Sequence, residues 1–159
     1  MRCARNARRM DVRPDVLLDT SALVAGIWSD AGGARALLRL GEAGAIRLLV
    51  SGLVLAELER VIRRKAPTRL GLLALILDAS RVTVVPSAPA ETVAVCERTV
   101  TYPADAEVLA AAWATNAAYF VTLDRVHFLE NEALRKLTPF PIGTRGDCLA
   151  WLRQGWMEV

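Results

Sequence analysis

Four carboxylates define the chemistry open to this chain. Asp19 directly follows the apolar run at 16–18, and Asp124 lies two residues past a second apolar run at 119–122. Glu57 falls in the first half of a segment with helical spacing, and Asp105 in the first turn of an alanine-rich one. Each has an ordinary explanation when taken alone. Asp19 suits a helix N-cap, Asp105 is favoured by the helix dipole, Glu57 resembles its solvated neighbour Glu59, and Asp124 suits a turn. Gathered at one place, the four would repel each other unless a cation neutralised them. An oxygen-rich cluster of this kind suits Mg2+ or Mn2+. Hydrolysis of a phosphodiester is the natural reaction, because a bound metal lowers the pKa of an attacking water.

The elements between these residues bring them to one edge. Apolar runs at 16–18, 46–50, 82–85 and 119–122 read as strands, with an edge strand near 140–142. Helical spacing marks 20–28, 33–44, 53–65, 70–77, 90–98, 104–117, 130–137 and 147–154. Ser51 is placed to cap the third of these helices, and Pro103 to open the alanine-rich one. Strands alternate with helices, and the strands are continuously apolar rather than alternating. That pattern predicts a single α/β domain with a parallel sheet of 4–5 strands and helices on both faces. In open α/β sheets the ligand site lies beyond the carboxyl ends of the strands, the edge to which Asp19 and Asp124 project.

Composition narrows the class further. The chain has 159 residues, enough for one domain with a real core, and 53% hydrophobic content with only 6% aromatics predicts an aliphatic, alanine-rich interior. The net charge of +3 is misleading as a nucleic-acid signal. Arg2, Arg5, Arg8 and Arg9 all precede Met10, and without residues 1–9 the formal charge is −1. Residues 1–12 read as a disordered arm, and 13–159 as the folded domain. Cys3, Cys96 and Cys148 form no metal-binding pattern, which points to a reducing, cytoplasmic setting. No apolar run approaches the ~20 residues of a membrane span.

The segments LLDTSALVAG at 17–26, LVLAELERVIRR at 53–64 and YPADAEVLAAAWATNAAYFVTLDRVHF at 102–128 resemble the PIN-domain family, most closely its VapC-type toxin branch. Asp19-Thr20-Ser21 matches the family's Asp-Thr-Ser after the first strand, and Glu57 the Glu of its Ala-Glu-Leu helix. Asp105 matches the Asp opening an alanine-rich helix, and Thr122 with Asp124 the family's Thr-x-Asp. The likeness runs in order from about Val16 to Phe128. It implies a Rossmann-like three-layer fold and a Mg2+- or Mn2+-dependent endoribonuclease, usually dimeric and held inactive by a cognate antitoxin. By the same analogy Asp19, Glu57, Asp105 and Asp124 are metal ligands, supported through hydrogen bonds by Thr20, Ser21 and Thr122. One departure stands out. Many relatives carry a further acidic residue shortly after the last Asp, where this chain reads Arg125-Val126-His127.

The remaining polar and aromatic residues are less specific. His127, the only histidine, is read as structural, since a metal-activated water needs no histidine base. Arg125 is either a contact for a substrate phosphate or a solvated loop arginine. Trp113 is expected in the core and Trp156 in packing or an interface; stacking on RNA bases is the alternative for the tryptophans. The cluster from Arg60 to Lys65 is read as a solvated helix end. An aspartyl phosphatase would want a second Asp where Ser21 stands, and no glycine-rich phosphate loop follows any strand. The serious rival is a PIN-like domain that has lost catalysis and serves as a binding or scaffold module.

Overall fold

The computed structural model describes residues 13–157, so the expected arm at 1–12 lies outside the described residues, as do 158–159. The chain alternates strand and helix throughout: β1 (Asp15–Leu18), α1 (Thr20–Trp28), α2 (Gly33–Glu42), β2 (Arg47–Ser51), α3 (Gly52–Lys65), α4 (Leu70–Ala79), β3 (Thr83–Val85), α5 (Ala90–Glu97), α6 (Pro103–Ala114), β4 (Tyr119–Val121), α7 (Glu132–Leu137), β5 (Ile142–Gly143) and α8 (Arg145–Met157). A short 3-10 turn, Pro67–Arg69, joins α3 to α4, and a π-helical turn, Arg125–Leu129, follows β4.

The five strands form one parallel sheet in the order β3-β2-β1-β4-β5. The chain winds outward from β1 to β3, then crosses back to β4. Right-handed crossovers therefore place the β1–β2 and β2–β3 connections on one face and the β3–β4 connection on the other. The central strands are buried on both sides: Val16, Leu17, Leu48, Val50, Phe120 and Val121 have no exposed surface. This is why they read as continuous apolar runs. β3 differs, because it is an edge strand. Its Val84 stays half exposed despite an equally apolar sequence.

Local chemistry fixes where the elements stop. Helix α2 ends two residues earlier than its apolar spacing suggests, because Gly44 adopts φ +73 and its N–H closes on Gly41 while Ala45 N–H reaches Leu40. These two bonds make a Schellman cap that glycine favours. Gly41 lets α2 approach the sheet closely, since a Cβ there would meet Leu48 at 2.6 Å and the Ser80 carbonyl at 2.7 Å. Ser51 caps α3, its Oγ accepting from Val54 N at 3.1 Å. In α6 the buried Ala106, Ala110, Ala111 and Ala112 line the helix's packed side, with small side chains suited to close approach. Trp113 is only partly buried, edge-on to Phe140 with ring centroids 6.3 Å apart. Among the described residues no helix is long and apolar enough to cross a membrane.

Candidate metal centre at the sheet edge

The carboxyl edge of the sheet holds all four carboxylates, each on a different element. Asp19 ends β1: its own N–H pairs with the Val121 carbonyl at 2.9 Å, and its side chain caps α1 by accepting from Thr20 N at 2.7 Å. The capping role and a role at the edge are therefore compatible. The second oxygen of Asp19 accepts from Thr122 Oγ1 at 2.9 Å and from Ser21 Oγ at 3.3 Å. Glu57 stands one and a half turns into α3, and one of its oxygens accepts from Thr20 Oγ1 at 2.8 Å. Asp105 lies in the first turn of α6. Asp124 caps the π-helical turn, accepting from His127 N at 3.0 Å.

Two hydroxyls, Thr122 and Ser21, tie Asp19 to the backbone after β4. Thr122 is completely buried and links Asp19 to the Asp124 N–H, which donates to its Oγ1 at 3.0 Å. Ser21 Oγ accepts from Leu123 N at 3.0 Å while donating to Asp19. A buried hydroxyl that both donates and accepts leaves little freedom to its partners, so Asp19 and the start of the β4 loop are held as a unit.

The acidic side chains also influence one another's charge. Burial raises the Asp19 carboxyl above its ordinary range despite the bonds from Thr122 and Thr20, and the charge of Asp105 adds to the rise. Burial likewise raises Asp105; His127 opposes the shift, and the negative charges of Asp124 and Glu57 reinforce it. Asp105 is thus the hub that interacts with the other three. Clustered carboxylates of this kind are stable together only with compensating positive charge.

His127 stands among these carboxylates, a placement its reading as a structural residue did not specify. Its Nδ1 lies 2.9 Å from an oxygen of Asp105 and 2.9 Å from an oxygen of Asp124. Between two carboxylate acceptors Nδ1 carries the hydrogen in the metal-free site, and it would have to give that hydrogen up to ligate an ion. Tyr102 backs the ring, with centroids 5.1 Å apart. One atom from each of Asp105, Asp124 and His127 lies within 4.8 Å of the others, a spacing that could hold a metal ion. The sequence carries one trace of this. Asp124 and His127 are three apart, the spacing at which a helical turn brings side chains together. Arg125 points elsewhere and pairs with Glu130 at 2.8 Å. Arg63 in the helix-end cluster pairs with Glu59 at 2.7 Å.

A parallel sheet with an acidic edge fed by β1, α3, α6 and β4 defines a class. The model of the PIN domain matches residues 15–126, and the chain belongs to the PIN-domain family. Solved structures share the fold. VapBC from Salmonella typhimurium, bound to DNA, superposes with a TM-score of 0.61 at 16% identity, covering 83% of this chain and 98% of that one. VapBC2 from Rickettsia felis, bound to a promoter fragment, gives 0.59 at 18% identity over 81% of this chain and 98% of its own. VapC20 of Mycobacterium tuberculosis, a sarcin–ricin loop cleaving toxin, gives 0.50 at 16% identity, covering 72% and 94%. At these identities the likeness is one of fold. No curated protein matches the sequence.

Proposed function

We propose that this chain is a divalent-metal-dependent endoribonuclease, the toxin of a toxin–antitoxin pair. One observation carries the reading: in a PIN-domain chain, carboxylates from four separate elements stand at one sheet edge, and ligand atoms of Asp105, Asp124 and His127 come within 4.8 Å of one another. The donor set of Asp19, Glu57, Asp105 and Asp124 fits Mg2+ or Mn2+, and the nearby imidazole nitrogen favours Mn2+ over Mg2+. When bound, the metal supplies an activated water and a positive charge for the phosphodiester.

The protein's own part is positioning. Asp19, fixed by Thr20, Ser21 and Thr122, is the rigid ligand of the set. Glu57 has one oxygen engaged by Thr20 and presents the other for the ion or for orienting the attacking water. His127 lies between Asp105 and Asp124, where its N–H offsets their repulsion. The fold neighbours described as VapBC complexes support a cognate antitoxin as partner. Leu72 and Leu75, exposed on α4, give apolar surface for an antitoxin or a second copy of the chain.

The test is cleavage of a mixed cellular RNA pool by partner-free protein in Mg2+ or Mn2+, in EDTA, and with Asp19→Asn. The expected result is metal-dependent cutting that the substitution abolishes. An intact RNA pool from folded protein that binds the metal would instead favour a binding module without catalysis.

A further inference from the structure

Away from the acidic edge, α2 and α8 lie side by side and enclose an open hollow of about 810 Å³. Arg35 and Arg39 come from α2 and Arg153 from α8, with Leu40, Leu149 and Trp156 between them; Asp30 is the lone acidic residue of the lining. Among the described residues none of these three guanidiniums forms an ion pair, whereas Arg63 and Arg125 each have a glutamate. The Nε of Arg35 is shielded from water and has no hydrogen-bond partner. Three guanidiniums against one carboxylate, with no ion pair among them, give the hollow an excess of positive charge that a polyanion would offset.

We infer that this groove holds the backbone of single-stranded RNA, an inference that rests on RNA being the substrate. An edge built of carboxylates repels phosphates wherever metal does not offset it, so the grip on the strand must come from cations elsewhere. Arg35 and Arg39 are four residues apart on α2, about 6 Å of rise, the scale of a nucleotide step. Guanidinium forks match phosphate oxygens in pairs. Trp156, half exposed at the rim, offers a ring face on which a base stacks without regard to sequence. An acidic peptide is the competing occupant, but it has no evident use for the exposed indole.

The test separates binding from cutting. Anisotropy of a fluorescein-labelled oligouridine is followed with full-length Asp19→Asn protein in EDTA across a salt series. Adding Arg39→Gln and Arg153→Gln should weaken binding about tenfold at low salt. The slope of log affinity against log salt should fall by about 1.4, near 0.7 for each phosphate that is no longer neutralised. The four arginines before Met10 contribute equally to both proteins and cancel in the difference. Trp156→Ala should weaken binding with the slope unchanged. Equal affinity and slope in the folded double variant would overturn the groove while leaving nuclease activity intact. No binding of oligouridine, with a labelled polyglutamate peptide held instead and released by the double substitution, would assign the groove to a protein partner. Absence of both binding and cleavage would remove the RNA reading itself.

Discussion

The acidic edge and the α2–α8 groove differ in how their charges are held. At the edge, Asp19 is fixed by two hydroxyls and a backbone N–H, and Thr122 passes the constraint on to Asp124. In the groove, Arg39 and Arg153 are exposed on their helices with no ion-pair partner among the described residues, and Arg35 is only partly covered. Like charges crowded behind fixed geometry suit a small, hard ion that demands a set coordination. Charges on long flexible stems suit a ligand that varies in sequence and need only be held by its backbone. One region selects by geometry and the other by charge.

The comparison breaks most visibly at Asp19. Asp19→Asn should lower metal-dependent RNA cleavage by about a hundredfold or more, the scale of losing one preorganised charge at a reacting centre. Gel assays of product formation check this. Thermal stability should move the other way with pH. Burial raises the Asp19 carboxyl, so the favourable protonated state is fully present below the unfolded pKa near 3.8 and is lost as pH rises through the higher folded value. In EDTA the melting temperature of Asp19→Asn relative to the parent should therefore improve from acid to neutral pH. A difference that stays flat would mean that Asp19 is not strained when ionised.

His127→Ala is the next largest. Losing an imidazole beside two carboxylates should weaken Mn2+ about tenfold or more and narrow its preference over Mg2+, as read by titration calorimetry. An unchanged Mn2+ affinity would return His127 to a structural role. Thr122→Val should cost about 1–3 kcal/mol, because it leaves the Asp124 N–H unmet and Asp19 short of a donor. Urea unfolding measures that loss. Arg39→Gln with Arg153→Gln should leave the metal-induced rise in melting temperature within error, since the groove takes no part in coordination. Disappearance of the metal response would join the two regions that the comparison separates.

Most of the fold is legible in the chain because its signals are local. The β1, β2 and β4 runs are buried on both faces, and periods of 3.6 mark the helices between them. The site is legible for the same reason: Asp19 and Asp124 each follow a strand, and the parallel fold has one carboxyl edge. What local signals do not carry is pairing through space. Nothing in the sequence says that α2 and α8, more than 100 residues apart, lie together and leave three arginines facing one hollow. His127 escapes a sequence reading for a related reason. Its ring reaches Asp105 only because the loop after β4 winds into a π turn, and no periodicity announces such a turn. The apolar sequence of β3 likewise conceals its place at an edge, since an edge is a property of the neighbours rather than of the strand.

The dispersal of the four carboxylates over β1, α3, α6 and β4 has a consequence for a chain still being made. Any length that stops before Asp124 lacks that carboxylate, and one that stops before β4 also lacks the Thr122 hydroxyl that steadies Asp19. The site is therefore assembled last and all at once, when the strand leading to Thr122 slots beside β1. If the edge cuts RNA, the growing polypeptide is harmless to the ribosome and message that surround it until Thr122 and Asp124 have been added and β4 has paired with β1.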